Sequence, residues 1–69
     1  MPARQTDLDK FKISFRIKKY LEKDGGLMYL FQDHQSAYRA MVDASFLISQ
    51  LKLDLVAFMN NNDNFFFVK

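Results

Sequence analysis

The stretch from residue 33 to residue 59 limits the possible folds more than any other part of this chain, because it carries one continuous apolar stripe without a glycine or proline. The apolar residues of the stripe are spaced alternately four and three positions apart: Ala37, Met41, Ala44, Ile48, Leu51, Leu55 and Phe58. This spacing places them on one face of an α-helix. Because an amphipathic helix is stabilised mainly by the surface on which it packs, we expect the flanking segments to cover that face.

The start of this helix is better defined by the sequence than its end. Asp33 is the predicted N-cap, and Ser36 is the alternative start one turn later. Residues 51–59 also alternate between apolar and other positions, so this segment either continues the helix or forms a strand that pairs with residues 65–68. The asparagine-rich residues 60–64 would terminate the helix in the first case and form a hairpin loop in the second.

Residues 10–18 show a different pattern, in which apolar and mostly cationic residues strictly alternate. The apolar members are Phe11, Ile13, Phe15 and Ile17. This period is typical of a β-strand. A helix is the alternative, because Thr6 and Asp9 resemble a capping box, but on a helix the apolar residues would be scattered around the circumference. The alternation therefore favours a strand, preceded by a poorly ordered arm over residues 1–9.

A tight turn is expected at Asp24-Gly25, because these residue types accept the positive φ angles of a hairpin turn. Residues 27–31 then form a short second strand that is apolar on both faces. The sequence thus predicts a single α+β domain over residues 1–69. An N-terminal antiparallel β-hairpin precedes the central helix, and a C-terminal strand or hairpin follows it, in the order ββα-β or ββαββ.

The size of the chain predicts that it associates with itself. A domain of 69 residues buries only about 60% of the surface that its unfolded chain exposes, so a monomer is expected to be marginally stable. Disulfides cannot add stability, because the chain contains no cysteine. Eight phenylalanines and three tyrosines are many for so small an interior. We therefore expect a homodimer, which is the commonest form of self-association.

The sequence carries no pattern typical of an enzyme. His34 is the only histidine, and no neighbouring residue suggests that it activates a nucleophile. The carboxylates are scattered, and the two adjacent glycines cannot form a phosphate-binding loop. We predict no catalytic site, no cofactor and no metal site. With no recognisable secretory signal and no apolar run long enough to cross a bilayer, the expected location is the cytoplasm, without membrane contact.

The first functional hypothesis is a non-enzymatic binding module that docks on a larger protein as an accessory regulator or inhibitor. Phe46 interrupts the polar side of the predicted helix, because it falls almost opposite Ala37 at 100° per residue. An aromatic residue on a polar helix face is typical of an interface. We predict an interaction surface formed by Phe46, Val42 and Arg39.

The alternative hypothesis is a nucleic-acid-binding protein that uses the basic face of the first predicted strand. On a strand, alternate residues project from one face at intervals of about 6.6–6.8 Å, close to the phosphate repeat of a nucleic-acid strand. The cationic residues are Lys10, Lys12, Arg16, Lys18 and, adjacent to them, Lys19. Phe11 and Phe15 would point to the opposite side and would not stack on bases. A row of lysines on an edge strand also occurs simply as protection against aggregation.

Overall fold

The computed structural model describes residues 3–69 of the chain, with side chains from residue 5 onward. The elements in chain order are helix α1 (Ala3–Ser14), strands β1 (Leu21–Lys23) and β2 (Gly26–Leu30), helix α2 (His34–Gln50), and strands β3 (Ala57–Phe58) and β4 (Phe65–Val68). The strands form one antiparallel sheet in the order β1-β2-β4-β3. The predicted α+β class is confirmed, with two helices rather than one.

The predicted first strand over residues 10–18 is wrong, because α1 continues to Ser14. Leu8 and Phe11 of this helix, and Phe15 directly after its last residue, follow at helical spacing and are buried. Ile13 lies off this stripe and is 77% exposed. The alternating pattern of residues 10–18 therefore contains one apolar residue, Ile13, that is not part of the core. Residues 3–9, predicted as a poorly ordered arm, belong to α1, whereas Met1 and Pro2 lie outside the described residues.

The turn between β1 and β2 lies at the predicted dipeptide. Asp24 and Gly25 both have positive φ angles, 53° and 76°, which is the conformation of the turn whose twist matches that of the flanking strands. Gly26 is the first residue of β2 and packs closely against β4, since a Cβ atom there would lie 2.5 Å from the carbonyl oxygen of Val68. The Asp-Gly-Gly sequence therefore serves both the turn and the contact between strands.

Helix α2 begins as predicted and ends earlier than the apolar stripe suggested. The Asp33 carboxylate caps the helix by accepting a hydrogen bond of 2.7 Å from the Ser36 backbone N–H. At the other end, Lys52 has a φ angle of 56°, and the Leu53 N–H donates to the Ile48 carbonyl at 3.0 Å. The Lys52 N–H also donates to the Ser49 carbonyl at 3.2 Å. These two hydrogen bonds and the positive φ angle of Lys52 form a Schellman motif.

An unbroken helix to residue 59 is therefore wrong, and a second hairpin is present, as its alternative predicted. Strand β3 contains only two residues and pairs with β4, with Ala57 opposite Val68 and Phe58 opposite Phe67. Reciprocal hydrogen bonds of 3.1 Å between Val56 and Lys69 extend the pairing by one position. The asparagine-rich segment is the hairpin loop, with Asn62 in the left-handed region at a φ angle of 71°.

Both helices pack on the same face of the sheet. In β2 and β4 the residues that point toward the helices are fully buried: Leu27, Tyr29, Phe66 and Val68. The rings of Tyr29 and Phe66 stack at 5.1 Å, and Phe15 of the α1 end meets Tyr29 edge-on at 5.3 Å. Helix α2 contributes small buried residues, Ala37, Ala40 and Ala44, which allow its backbone to approach the sheet. Its buried face is rotated toward Ala40 relative to the predicted stripe, leaving Leu51 exposed.

Candidate interaction surfaces

The face of the sheet that points away from the helices is apolar and is not covered by any element of residues 3–69. Strand pairing places Leu21 opposite Met28, Met28 opposite Phe67, and Phe67 opposite Phe58, so one apolar row crosses all four strands. Leu30 and Phe65 form the next row on β2 and β4. We call this surface the open face, defined by Leu21, Met28, Leu30, Phe58, Phe65 and Phe67.

The open face has an aromatic half and an aliphatic half. On β4 and β3, the rings of Phe67 and Phe58 stack with centroids 6.0 Å apart and an interplanar angle of 18°. On β1 and β2, Leu21 and Leu30 remain 57% and 60% exposed. Here a shallow depression of about 280 Å³ is lined by Lys19, Tyr20, Leu21, Met28 and Leu30. Apolar side chains this exposed and this contiguous are uncommon on a monomeric protein.

Lysines border the open face at both ends. Lys23 pairs with Gly26 at the hairpin turn, and Lys69 pairs with the exposed Val56 at the end of β4. Lys19 lies at the opposite end, beside the aliphatic depression. An apolar centre with a charged rim is the usual composition of a protein interface.

A second apolar surface runs along the outer side of α2. Tyr38, Val42 and Phe46 follow at intervals of four residues and therefore form one ridge on the helix. All three are exposed, Phe46 at 72%. We call this the α2 ridge. Arg39 borders it and is exposed, so the helix presents the three residues predicted from the sequence on one side, together with Tyr38.

A polar contact between the two helical regions lies beside Phe46. The Arg16 guanidinium forms an ion pair with the Asp43 carboxylate at 3.0 Å. Both side chains are largely solvated, so the pair contributes little to stability. It does give the α2 ridge a polar border.

The cations of the nucleic-acid hypothesis do not form an evenly spaced row, because they lie on a helix and on the connection that follows it. Lys12 forms ion pairs with Asp9 at 3.4 Å and with Glu22 at 3.9 Å. The Lys18 ammonium donates to the carbonyl oxygens of Lys12 and Ile13, at 3.1 and 2.7 Å, and so caps the end of α1. Arg16 is paired with Asp43, as described above. Lys10 and Lys19 are exposed.

The His34 side chain makes a structural hydrogen bond that joins two segments of the fold. Its Nδ1 atom lies 2.7 Å from the Asp63 carbonyl oxygen, and since a carbonyl only accepts, Nδ1 is the donor. This bond joins the start of α2 to the loop between β3 and β4. At the same end, the Asp33 pKa is lowered from its usual value, chiefly because the carboxylate accepts the Ser36 backbone N–H.

Among the residues whose side chains are described, no three histidine or acidic groups lie close enough together to hold a metal ion. Neither helix, over the part of the chain described, combines the length and apolar character needed to cross a membrane. Comparison with protein-family models, with curated proteins and with solved structures finds no significant match.

The sequence predicts the exposed residues of the α2 ridge but not the open face. The helical position of Phe46 was sufficient to predict its exposure. The open face depends on β2 pairing with β4, which are far apart in sequence. Two signals for it were present: Met28 and Leu30 alternate with core residues, and residues 65–67 are consecutive phenylalanines. Both indicate strands that are apolar on each side.

Proposed function

We propose that this protein is a non-enzymatic binding module that acts as a homodimer and docks on a larger protein as an accessory regulator or inhibitor. The observation that carries the docking proposal is the α2 ridge, on which Phe46 is 72% exposed beside Val42 and Tyr38. Exposed aromatic anchors of this kind dominate the binding energy of protein interfaces. A helix that presents side chains four residues apart is suited to a groove on a partner.

The ridge is held on a helix with both ends fixed. Asp33 caps the first turn, and the Schellman motif at Lys52 closes the last one. Because the anchors are already ordered, docking requires little rearrangement of the backbone. The polar border formed by Arg16 and Asp43 would contribute to specificity more than to affinity.

A pull-down from cell lysate tests the docking proposal. We would compare the unmodified protein, Phe46→Asp, and Asn61→Asp, which adds the same charge at an exposed position of the β3–β4 loop. We expect the unmodified protein and Asn61→Asp to retain one discrete nuclease-resistant protein, and Phe46→Asp to lose it. Retention of the same protein at the same level by Phe46→Asp would refute docking through the ridge.

Nucleic-acid binding is the alternative, and the same experiment separates it. Its cations would be Lys10 and Lys19, which are exposed, rather than Lys12 and Lys18, which contact acidic groups or carbonyl oxygens. Bound material that disappears on nuclease treatment, or is released between about 50 and 200 mM salt as phosphate contacts are, would favour this alternative.

A further inference from the structure

We infer that the open face is covered by a second copy of this chain. The two copies would be related by a twofold axis that lies between the two sheets, is parallel to the strands and passes over the β2–β4 pair. The inference rests on the homodimer of the proposed function and specifies its interface. It would pack two four-stranded sheets face to face, with the helices on the outside. Three features of the described residues carry it: the size of the sheet surface, its apolar composition and its division into two halves.

The open face and its lysine border are together large enough for such an interface. Together with the bordering positions that carry Lys19, Lys23, Val56 and Lys69, the open face spans four strands about 4.8 Å apart and three rows of side chains about 6.8 Å apart, a footprint of about 400 Å². Protruding side chains raise the accessible area above this footprint. A biological interface needs about 500 Å² from each partner. The surface reaches this size only if the open face and its lysine border are covered together, and a second identical sheet would cover them in that way.

The two halves of the open face complement each other under the proposed symmetry. A twofold axis along the strands lays β3 over the partner's β1 and β4 over the partner's β2. Phe58 then faces the partner's Leu21, and Phe67 faces the partner's Met28, so the stacked aromatic rings enter the aliphatic depression. An axis across the strands would instead set aromatic against aromatic and leave the two depressions facing each other. Interdigitation of large and small residues is what close packing requires.

The same axis places the lysine-bearing rows of the two copies at one end of the interface. Lys23 would lie over the partner's Val56, and Lys69 over the partner's Gly26, because these residues occupy equivalent rows on β1, β2, β4 and β3. Because Lys69 of each chain packs over its own Gly26, the two Lys69 stems would meet near the axis. The aliphatic stems would cover apolar surface while the ammonium groups reach water at the rim.

Cysteine cross-linking tests the interface and its symmetry together. The chain has no native cysteine, so Leu21→Cys and Phe58→Cys are unique sites. Within one chain these positions lie on opposite edges of the sheet, separated by about 14 Å across three strand intervals. In the proposed dimer each faces the other in the partner. We would treat the two single variants, separately and mixed after unfolding and refolding, with a bismaleimide shorter than the intrachain separation.

We expect neither single variant to cross-link alone and the equimolar mixture to yield covalent dimer, with about half of the dimers pairing unlike chains. Equal cross-linking of each single variant with itself would show the crosswise axis and overturn the inference. So would the absence of cross-linking in all three samples.

A second pair of variants separates this inference from the docking proposal. Leu30→Glu places a charge in the open face at a residue that the isolated chain exposes, so the fold is expected to persist with unchanged circular dichroism, whereas the dimer is lost. Phe46→Asp is expected to remain dimeric. A dimeric Leu30→Glu protein would overturn the interface, and the binding behaviour of Phe46→Asp would be unaffected by that result.

Discussion

At the scale of single residues, Tyr29 is the least expected member of the core. Its side chain is fully buried, and its hydroxyl has no hydrogen-bond partner among the described residues. The ring packs well, stacked on Phe66 and edge-on to Phe15. Burial, with a smaller contribution from Tyr20, raises the pKa of the Tyr29 hydroxyl well above its usual value. The hydroxyl therefore stays neutral, and its cost is the loss of hydrogen bonds to water.

Replacing Tyr29 by phenylalanine keeps the ring and removes the unpartnered hydroxyl. We expect the free energy of unfolding of Tyr29→Phe to be unchanged or to rise by about 1 kcal/mol, because no buried hydrogen bond is lost. Urea denaturation measures this. Tyr38→Phe, at an exposed position, is the matched control and should leave stability unchanged. A loss of about 1 kcal/mol or more in Tyr29→Phe would mean that the hydroxyl is hydrogen-bonded to an ordered water.

At the scale of elements, the end of α2 depends on one residue in an unfavourable conformation. Lys52 occupies the left-handed position of the Schellman motif, where glycine is usual because a Cβ atom is strained there. The buried pair Ile48 and Leu53 stabilises the motif from inside. Packing thus determines where α2 ends, at some cost in backbone energy.

Lys52→Gly is expected to stabilise the protein by about 0.5–1 kcal/mol, because relief of strain exceeds the added entropy of the unfolded chain. Lys52→Ala is the control, since it removes the same long side chain but keeps the Cβ atom. The midpoints of urea unfolding should rank glycine above alanine, with alanine close to lysine. A glycine variant less stable than the alanine variant would contradict a left-handed Lys52.

These elements also show how far the sequence determines the fold. The hairpin at Asp24-Gly25 and the cap at Asp33 were predictable, because each depends on the chemistry of adjacent residues. The end of α2 was not, since lysine at position 52 gives no local signal for a left-handed turn. The sequence favours a strand in place of helix α1 because Phe11 and Phe15 also fit a strand alternation. The spacing of three and four residues from Leu8 to Phe11 and Phe15 is the helical signal, and both rings pack against Tyr29.

The two candidate surfaces also differ in whether adjacent residues or distant contacts determine them. Exposure of Phe46 on the α2 ridge required only a helical wheel, and the structure bears it out. The open face required the strand order β1-β2-β4-β3, which brings residues from distant parts of the chain into one row. Non-local pairing of this kind depends on the whole fold, so no local pattern identifies the row.

At the scale of the whole molecule, the two apolar surfaces lie on opposite sides. The open face belongs to the strand layer, and the α2 ridge points away from the sheet, because the opposite side of α2 is buried against it. In the proposed dimer the two ridges would therefore lie on the two outer surfaces. Such a dimer would bind two copies of a target, or two sites on one target, and a bivalent partner would be held more tightly than a monovalent one.

The molar mass of the unmodified protein in solution decides whether two copies of the chain associate. The chain has a mass of 8.2 kDa, and sedimentation equilibrium over a range of concentrations distinguishes this mass from its double. We expect the double mass for the unmodified protein and for Phe46→Asp, and 8.2 kDa for Leu30→Glu. A mass of 8.2 kDa for the unmodified protein at every concentration would contradict the proposed dimer, because the open face would then remain exposed to water.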